Sequence, residues 1–322
     1  MNNCVAFTVC SNSYLPQAYA LGKSLINENS ALTFLIILID KKSEGLNYPV
    51  NFEIIEIQDI ESDIQTLAEK YNIIELSTSV KPKVFQYLFT RFKDVNDFLY
   101  FDPDIYVYNT LNEIRKELIN NDIILTPHIL NPIQIDDIHP NDNHFLRFGI
   151  FNLGFIAVKR SDNVIRFLKW WLGHTYFRGA IDLSQGQFVD QLPINLVPVF
   201  FDKVLILKDL GMNVAPWNLH ERNLSFHDGI YYINEKYPLI FFHFSNFKPS
   251  KQLRITSMDW YQRVSIETNK ALEKIYQKYK ETLLENEYEL YSKNVPYYNA
   301  FTKQKKNSFY NRILNRIRVF AM

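Results

Sequence analysis

Two carboxylates that could share a metal ion stand at the end of one apolar stretch of the chain. Residues 98–101 have the composition of a buried strand, which stops at Asp102-Pro103-Asp104. Because proline has no N–H to donate, the strand should end there with both carboxylates at its exposed end. Carboxylates two positions apart in extended chain suit one hard divalent cation, with coordination positions left for phosphate oxygens. A solvated turn is the alternative, but the strand pattern resumes over 105–108, which favours the metal.

Two further side chains stand where a phosphate or a metal could be bound. Lys81 precedes a predicted helix over 84–92, and a cation there opposes the helix dipole, which suggests an anionic partner. His243 lies near the end of an apolar run, 239–244, and a basic loop with Lys248 follows it. A strand-end histidine in this setting is a candidate third metal ligand. The alternatives are a solvated lysine and a core histidine.

The elements that must position these residues alternate between strand and helix. Helical spacing covers 15–27 and 162–176. Strand patterns cover the segments 5–9, 32–39, 52–57, 122–126, 148–158 and 204–207. This alternation predicts βαβ units and a parallel sheet, in which ligands bind beyond the carboxyl ends of the strands. No Gly-x-Gly-x-x-Gly and no Gly-Lys-Ser/Thr loop is present, which disfavours dinucleotide oxidoreductases and P-loop enzymes.

The composition is that of an ordinary globular protein. The 322 residues are 47% hydrophobic, and Lys+Arg and Asp+Glu are both 35, which argues against a general nucleic-acid coat. Cys4 and Cys10 lie at the two ends of one extended segment, too far apart to bridge, so we expect reduced thiols in a cytoplasmic protein. We see no run of 18 apolar residues and no signal-peptide pattern.

The C-terminal stretch has a different character. Residues 256–290 have polar helical composition, and 303–320 carry six cations and no acid. From residue 309 onward, the spacing places an apolar stripe on one helix face with arginines beside it. We therefore expect a catalytic domain over 1–255 and a helical extension over 256–322, whose basic end, 303–322, contacts anionic membrane. A disordered tail, or a helix packed on the domain, is the alternative.

Taken together, these residues are similar to those of a known enzyme family. The chain resembles, over 4–250, the retaining nucleotide-sugar glycosyltransferases of the GT-A fold, which include glycogenin and bacterial lipooligosaccharide galactosyltransferases. Segment 210–219 is closer to a bacterial branch found with surface-polysaccharide genes. The resemblance lies in the order and spacing of several short segments. They are residues 7–14 together with 23–25, the second strand with Asp40 at its end, the single residue Lys81, and the segments 100–104, 152–154, 190–191 and 243–244.

This resemblance implies a fold, a donor and roles for residues. The GT-A fold is a Rossmann-like, mixed and mainly parallel sheet flanked by helices. The donor would be a nucleotide-diphosphate sugar, with a UDP-sugar favoured in this group, and the acceptor a saccharide or lipid-linked glycan. Mn²⁺ or Mg²⁺ would be held by Asp102, Asp104 and His243. The nucleoside pocket would be lined by Thr8, Ser11, Tyr14 and Asp40. Phosphate or donor-sugar contacts would come from Lys81 and Lys248, and the residues beside the anomeric carbon would be Asn152, Asp190 and Gln191.

The chain departs from the family at a few positions, and further functions stay open. Asn246 and Pro249 stand where the family often has Gly and Lys, and Ser11 stands where relatives carry Asp. An inverting transferase would need a carboxylate base, for which the acidic loop 136–142 offers Asp136, Asp137 and Asp142. That loop could also be a lid or a metal site, but solvation is favoured. A metal-dependent nucleotidyltransferase, or a protein that binds a nucleotide sugar or glycan without turnover, would suit the same sheet and cation.

Overall fold

Strands and helices alternate along most of the chain. The computed structural model describes residues 4–250, 252–257 and 261–304. Its strands are β1 (Cys4–Cys10), β2 (Leu32–Leu38), β3 (Glu53–Glu56), β4 (Asp97–Phe101), β5 (Ile105–Val107), β6 (Ile123–Pro127), β7 (Phe151–Lys159), β8 (Val204–Ile206), β9 (Leu224–His227), β10 (Ile230–Ile233), β11 (Tyr237–Pro238) and β12 (Phe241–His243). Its helices are α1 (Leu15–Glu28), α2 (Ile64–Lys70), α3 (Ile73–Ser79), α4 (Lys81–Arg91), α5 (Asn112–Asn120), α6 (Asp142–Phe148), α7 (Asp162–Arg178), α8 (Val197–Phe200), α9 (Lys270–Glu285) and α10 (Tyr288–Tyr291).

The main sheet has seven strands in the order β3-β2-β1-β4-β7-β6-β8. All neighbouring pairs are parallel except the two that include β7, so β7 alone runs against the other six strands. Two small sheets complete the fold, one of β9, β10 and β11 and one of β5 and β12. The predicted class, a mixed and mainly parallel sheet flanked by helices, is confirmed.

The two faces of the main sheet are covered by different helices. One face packs against α2, α3, α4 and α7 through a buried cluster centred on Phe7, Phe85 and Trp171. The other face packs against α1 and α5. Strands β1 and β2 are buried along almost their whole length, as expected for central strands covered on both sides.

Helix ends follow local capping chemistry. The side chain of Asn72 accepts from the backbone of α3 while Glu75 reaches back to the cap, which completes a capping box. Ser161 caps α7 and Asn269 caps α9 in the same manner. Helix α9 begins only after Asn269, and residues 261–269 contain no α-helix. The prediction of helix across 256–290 is therefore wrong for its first part.

The predicted strand over 148–158 is also shortened at its start. Phe148 is the last residue of α6, and Gly149 follows with φ 116, a backbone conformation that only glycine adopts easily. Strand β7 therefore begins at Phe151, after the chain has reversed direction. The apolar residues at 148–151 gave no sign of this turn because a short apolar run fits a helix end and a strand equally well.

The C-terminal part packs on the rest of the molecule instead of standing apart. Tyr279 of α9 stacks on Phe244 with ring centroids 3.8 Å apart, and Tyr291 of α10 is buried against Tyr19. Tyr298, in the 3₁₀ segment Tyr297–Gln304, belongs to the same buried cluster as Phe7. Residues 305–322 lie outside the described residues, so the predicted membrane contact of 303–322 stays a prediction.

Two further observations concern the cysteines and the apolar character of the helices. Cys4 and Cys10 are buried, unpaired thiols, as their positions at opposite ends of β1 predict. Within the part of the chain that the structure describes, no helix combines the length and the apolar character needed to cross a membrane.

Candidate metal and substrate site

The two aspartates lie in the tight turn that ends β4, as the sequence predicts. The N–H of Ile105 donates to the Asp102 carbonyl at 3.1 Å, and the N–H of Asp102 donates to the Gly154 carbonyl at 2.7 Å. The chain then leaves the main sheet, because β5 pairs with β12 and not with another strand of that sheet. The register sets His243 opposite Ile105, and this pairing brings the histidine next to Asp104.

Asp102, Asp104 and His243 form the one cluster of this kind among the described residues, with ligand atoms within 4.8 Å of one another. His243 Nε2 lies 3.0 Å from Asp104 Oδ1 and 3.8 Å from Asp102 Oδ2. Neighbouring ligands of a six-coordinate Mg²⁺-sized ion are about 3 Å apart. The spacing of His243 and Asp104 matches this value, and Asp102 is set somewhat wider. Burial lowers the pKa of His243, but the carboxylates of Asp104 and Asp102 outweigh burial and raise it. Two carboxylates and an imidazole are a donor set suited to Mn²⁺ or Mg²⁺.

Gly154 leaves the space in which the His243 ring lies. A Cβ at this position would stand 2.5 Å from His243 Cε1 and 2.7 Å from Asn152 Oδ1. Real Cβ atoms do not come that close, so no other residue fits here unless the histidine moves. The glycine that interrupts the strand pattern in the sequence is explained by this close approach.

Lys81 is a buried cation between two carboxylates. The Lys81 side chain is 2% exposed, and its Nζ lies 3.1 Å from Asp190 Oδ2 and 3.5 Å from Asp102 Oδ1. The same Nζ donates a hydrogen bond to the Leu153 carbonyl at 3.0 Å. Burial lowers the pKa of Lys81, but the two carboxylates outweigh burial and raise it. Burial raises the pKa of Asp190 to about 6 in spite of the lysine. The Lys81 cation is therefore well stabilised by two carboxylates and a carbonyl, whereas the buried Asp190 carboxylate has fewer polar partners. Its Oδ2 has the ion pair but no hydrogen bond of good geometry.

The amide side chains beside Asp190 are bound to the backbone. Gln191 Oε1 accepts from the Leu153 N–H at 3.0 Å, and its Nε2 donates to the Phe148 carbonyl at 2.8 Å. Asn152 Oδ1 accepts from the Gly154 N–H at 3.1 Å. Both residues are buried. Gln191 ties the segment around Asp190 to Phe148 and Leu153, whereas the Asn152 bond lies within β7. Their predicted contacts at an anomeric carbon would require part of this hydrogen bonding to rearrange.

These residues surround one cavity of about 490 Å³ at the carboxyl edge of the sheet. It is lined by nine of the predicted site residues, namely Ser11, Tyr14, Lys81, Asp102, Asp104, Asn152, Asp190, Gln191 and His243. The structure thus brings together residues from segments far apart in the sequence, and it does so where parallel sheets bind ligands.

Three predicted residues do not line this cavity. Thr8 is fully buried within β1, and Lys248 is exposed on the loop after β12. Asp40 is buried, and its carboxylate accepts backbone N–H groups of Asn12, Lys41 and Tyr297. Burial raises the pKa of Asp40, and these hydrogen bonds oppose that rise. The predicted roles of these three residues at the nucleotide stay predictions.

The cavity also has a lining that the sequence analysis missed. Aromatic side chains make up much of this lining, namely His128, His144, Phe145, Phe148, Trp217 and Tyr261. His128 follows β6 at the same sheet edge as the aspartates, a position that could have singled it out. Trp217 lies in the segment 210–219, which the sequence analysis noted but gave no role. The rest come from helix α6 and from the C-terminal region, and no local pattern marks them.

The acidic loop is occupied by protein contacts. The Arg263 guanidinium donates to Asp136 at 2.6 Å and to the Pro140 carbonyl at 2.7 Å. This hydrogen bond, together with the charge of Arg263, lowers the pKa of Asp136. Asp142 lies in the first turn of α6, where an acidic residue suits the helix dipole. No metal cluster that includes this loop is found among the described residues.

Comparisons with known proteins give distant similarities. No protein-family model matches the chain. Two Bacillus subtilis proteins described as uncharacterized are 24% identical to the chain. The match to YfnF spans 282 residues, 86% of this chain and 90% of YfnF. The match to YfnD spans 279 residues, 84% of this chain and 86% of YfnD.

Solved structures similar to the chain include glycosyltransferases. The galactosyltransferase LgtC, in complex with donor and acceptor sugar analogs, is 16% identical with a TM-score of 0.48 over 91% of this chain and 98% of its own. GlyE of Streptococcus pneumoniae is 16% identical with a TM-score of 0.48 over 92% of this chain and 66% of its own. At these identities and scores, neither structure assigns a substrate or a mechanism to the chain.

Proposed function

We propose that the chain is a metal-dependent glycosyltransferase of the GT-A type, with a nucleotide-diphosphate sugar as donor. The observation that carries the proposal is the cluster of Asp102, Asp104 and His243 at the carboxyl edge of the sheet, opening into a cavity large enough for such a donor. The resemblance of the sequence motifs supports Mn²⁺ or Mg²⁺ as the ion and UDP as the nucleotide.

The charges around the cavity suit the departure of a diphosphate. A divalent cation held by the three ligands would neutralise the negative charge that develops on the leaving nucleoside diphosphate. Lys81 lines the same cavity and holds Asp102 and Asp190 in place through its two ion pairs. The lysine is therefore fixed before the donor binds, which lowers the reorganisation needed during reaction.

Asp190 is the residue we propose for the sugar side of the reaction. Its carboxylate is 1% exposed, lines the cavity, and is only partly compensated by Lys81. A carboxylate in such surroundings can stabilise an oxocarbenium-like transition state at the anomeric carbon. Gln191, the next residue in the chain, fixes the backbone on which that carboxylate is held. We propose retention of configuration, for which the support is the family resemblance at 190–191.

We further propose that the acceptor is a saccharide or lipid-linked glycan of a bacterial surface polysaccharide. The support is the likeness of segment 210–219 to that bacterial branch. A basic, amphipathic end at 303–322 would suit an enzyme that works in the cytoplasm on the inner face of a membrane, where each cation near anionic lipid contributes about 1 kcal/mol of binding.

The test is donor turnover together with direct metal binding. Purified protein should hydrolyse or transfer from a nucleotide sugar only when Mn²⁺ or Mg²⁺ is present, and bind Mn²⁺ measurably by electron paramagnetic resonance. Asp102→Asn and Asp104→Asn should each lower Mn²⁺ affinity and turnover by at least about 100-fold while the protein stays folded. The matched control is Asp94→Asn, which makes the same change near the opposite, amino end of β4 and should leave both quantities unchanged.

Competing functions give different outcomes. Full activity of either variant in excess EDTA would reject the metal proposal. Release of pyrophosphate in place of a nucleoside diphosphate would indicate a nucleotidyltransferase. Metal-dependent binding with an intact donor after incubation with acceptors would indicate a binding protein without turnover.

A further inference from the structure

One part of the cavity is unlike the rest, and we call it the aromatic recess. It is the part lined by His128, Phe145, Trp217 and Tyr261. Phe145 and Trp217 belong to a buried apolar cluster against which Tyr261 packs. The His128 ring lies 5.5 Å from Phe145 and 5.3 Å from Trp217, measured between ring centroids. The recess is therefore mostly aromatic, and two of its residues, His128 and Trp217, carry a ring N–H group.

The first of these groups is the indole N–H of Trp217. The residue is 4% exposed, and its Nε1 has no hydrogen-bond acceptor among the described residues. A buried indole N–H usually has a partner. A bound ligand is one source of the missing acceptor.

The second group is Nδ1 of His128, whose tautomer follows from its neighbours. Asn152 Oδ1 accepts from the Gly154 N–H, so the Asn152 amide turns its Nδ2 toward His128 Nε2 at 3.3 Å. Nε2 must then accept, and the proton lies on Nδ1. Burial lowers the pKa of His128 to about 3, so the ring is neutral at physiological pH; the Ile150 carbonyl opposes this shift. No acceptor of good geometry serves Nδ1 in the described structure.

Two N–H donors without acceptors, set among aromatic rings, select a particular chemical group. A hydroxyl that accepted from them would still need an acceptor for its own proton. A carbonyl oxygen has two lone pairs and no proton to satisfy. A methyl group beside that carbonyl would suit the ring faces of Phe145 and Trp217. An acetamido group has both parts.

The position of the recess indicates which substrate would carry this group. The rings of Trp217 and the metal-ligand candidate His243 pack edge to face, with centroids 5.1 Å apart. A group in the recess is therefore next to the end of the cavity assigned to the diphosphate. A carboxylate sugar fits less well, because the cation of this cavity, Lys81, is already paired with Asp102 and Asp190.

We infer that the aromatic recess binds the acetamido group of an N-acetylhexosamine carried by the nucleotide donor, with Trp217 and His128 as the residues that select it. This inference rests on the proposed function and names its substrate class. It gives a specificity role to residues outside the metal and lysine groups.

The test compares donors on the full-length protein with Mn²⁺. Hydrolysis and calorimetric binding would be measured with UDP-GlcNAc and UDP-GalNAc against UDP-Glc and UDP-Gal. We expect kcat/KM for at least one acetamido donor to exceed that of its plain counterpart by tenfold or more. Trp217→Phe keeps a ring but removes the N–H, and should reduce that ratio about tenfold. Trp170→Phe, a partly buried tryptophan on α7, is the matched control and should leave the ratio unchanged.

Three results would overturn the inference. They are a wild-type preference for plain hexose donors, a donor ratio that Trp217→Phe does not change, and an effect of Trp217→Phe confined to the KM of N-acetylated acceptors. If turnover is slow, the affinity ratio of UDP-GlcNAc to UDP-Glc decides in the same way. Failure of UDP and every UDP-sugar to bind with Mn²⁺ would instead refute the proposed function, so the two failures are distinguishable.

Discussion

Replacing Lys81 by methionine should destabilise the protein in a pH-dependent way. Methionine keeps most of the apolar stem and removes the charge that lies 3.1 Å from Asp190 Oδ2. That charge opposes the rise of the Asp190 pKa, which burial nonetheless brings to about 6. Without the cation, a carboxyl group that is 1% exposed should stay protonated through neutral pH.

The magnitude follows from the difference in bound protons between folded and unfolded protein. In the wild type, the pKa of Asp190 is about 6 in the folded protein and 3.8 ordinarily, so the folded protein binds more protons between these pH values. The contribution of Asp190 to stability therefore falls as pH rises from 3.8 to about 6, and it is constant at higher pH. In the variant the fall continues above about pH 6, at roughly 1.4 kcal/mol per pH unit. The extra loss from Asp190 is therefore near zero at about pH 5.5 and about 2 kcal/mol at about pH 7.5. Loss of the hydrogen bond to the Leu153 carbonyl adds roughly 1–3 kcal/mol at both pH values.

The assay is urea unfolding followed by tryptophan fluorescence at these two pH values. Lys83→Met is the matched control, because Lys83 lies on the same helix but is 36% exposed, with its Nζ 3.7 Å from Glu61. Glu61 is largely buried, but Lys83 is open to solvent, which screens the pair to about 1 kcal/mol or less, so the control should show a smaller effect. Adding Asp190→Asn to the Lys81→Met protein should remove the pH dependence. A destabilisation by Lys81→Met that is equal at both pH values would refute the reasoning.

Other predictions concern the metal ligand, the C-terminal part and the product. Gly154→Ala places a Cβ 2.5 Å from the His243 ring and should lower Mn²⁺ affinity at least about tenfold. The control is Gly173→Ala, whose Cβ meets nothing within 4 Å and which should leave the affinity unchanged. Equal Mn²⁺ affinities of the two variants would contradict this prediction. Removing 287–322 deletes two buried tyrosines and should lower the melting temperature by several degrees, at roughly 2–4 °C per kcal/mol lost. Removing only 303–322 should spare donor hydrolysis but abolish sedimentation with anionic liposomes; equal sedimentation with the full chain would end the membrane proposal. Nuclear magnetic resonance of the product from an α-linked donor should show an α anomeric proton, and a β coupling would reverse the prediction of retention.

Much of the fold could be read from short stretches of the chain. The strand that ends at Asp102-Pro103-Asp104 was predictable because apolar residues and a proline act on their own backbone within a few residues. The main-sheet strands and the first long helix lie where the sequence patterns place them, within a few residues. The mainly parallel sheet follows from the alternation of these elements.

The sequence patterns were least reliable at the ends of elements. Phe148 lies in α6 and not in β7, and α9 starts at Lys270, well after the start of the polar helical composition. In both places the apolar or polar pattern continues across a change of backbone direction. A cap or a positive φ sets the boundary, and the periodicity of side chains does not record it.

The sequence by itself therefore determined the strand-end carboxylates, the sheet class and the residue types suited to a metal and a phosphate. Only the tertiary structure decided that β5 leaves the main sheet and pairs with β12, which brings His243 to Asp104. It also decided that Lys81 is buried between two carboxylates and that His128 and Trp217 meet in one recess. The physical reason is range: capping, proline and periodicity act over a few residues, whereas these contacts join segments distant in the chain and exist only once the core has packed.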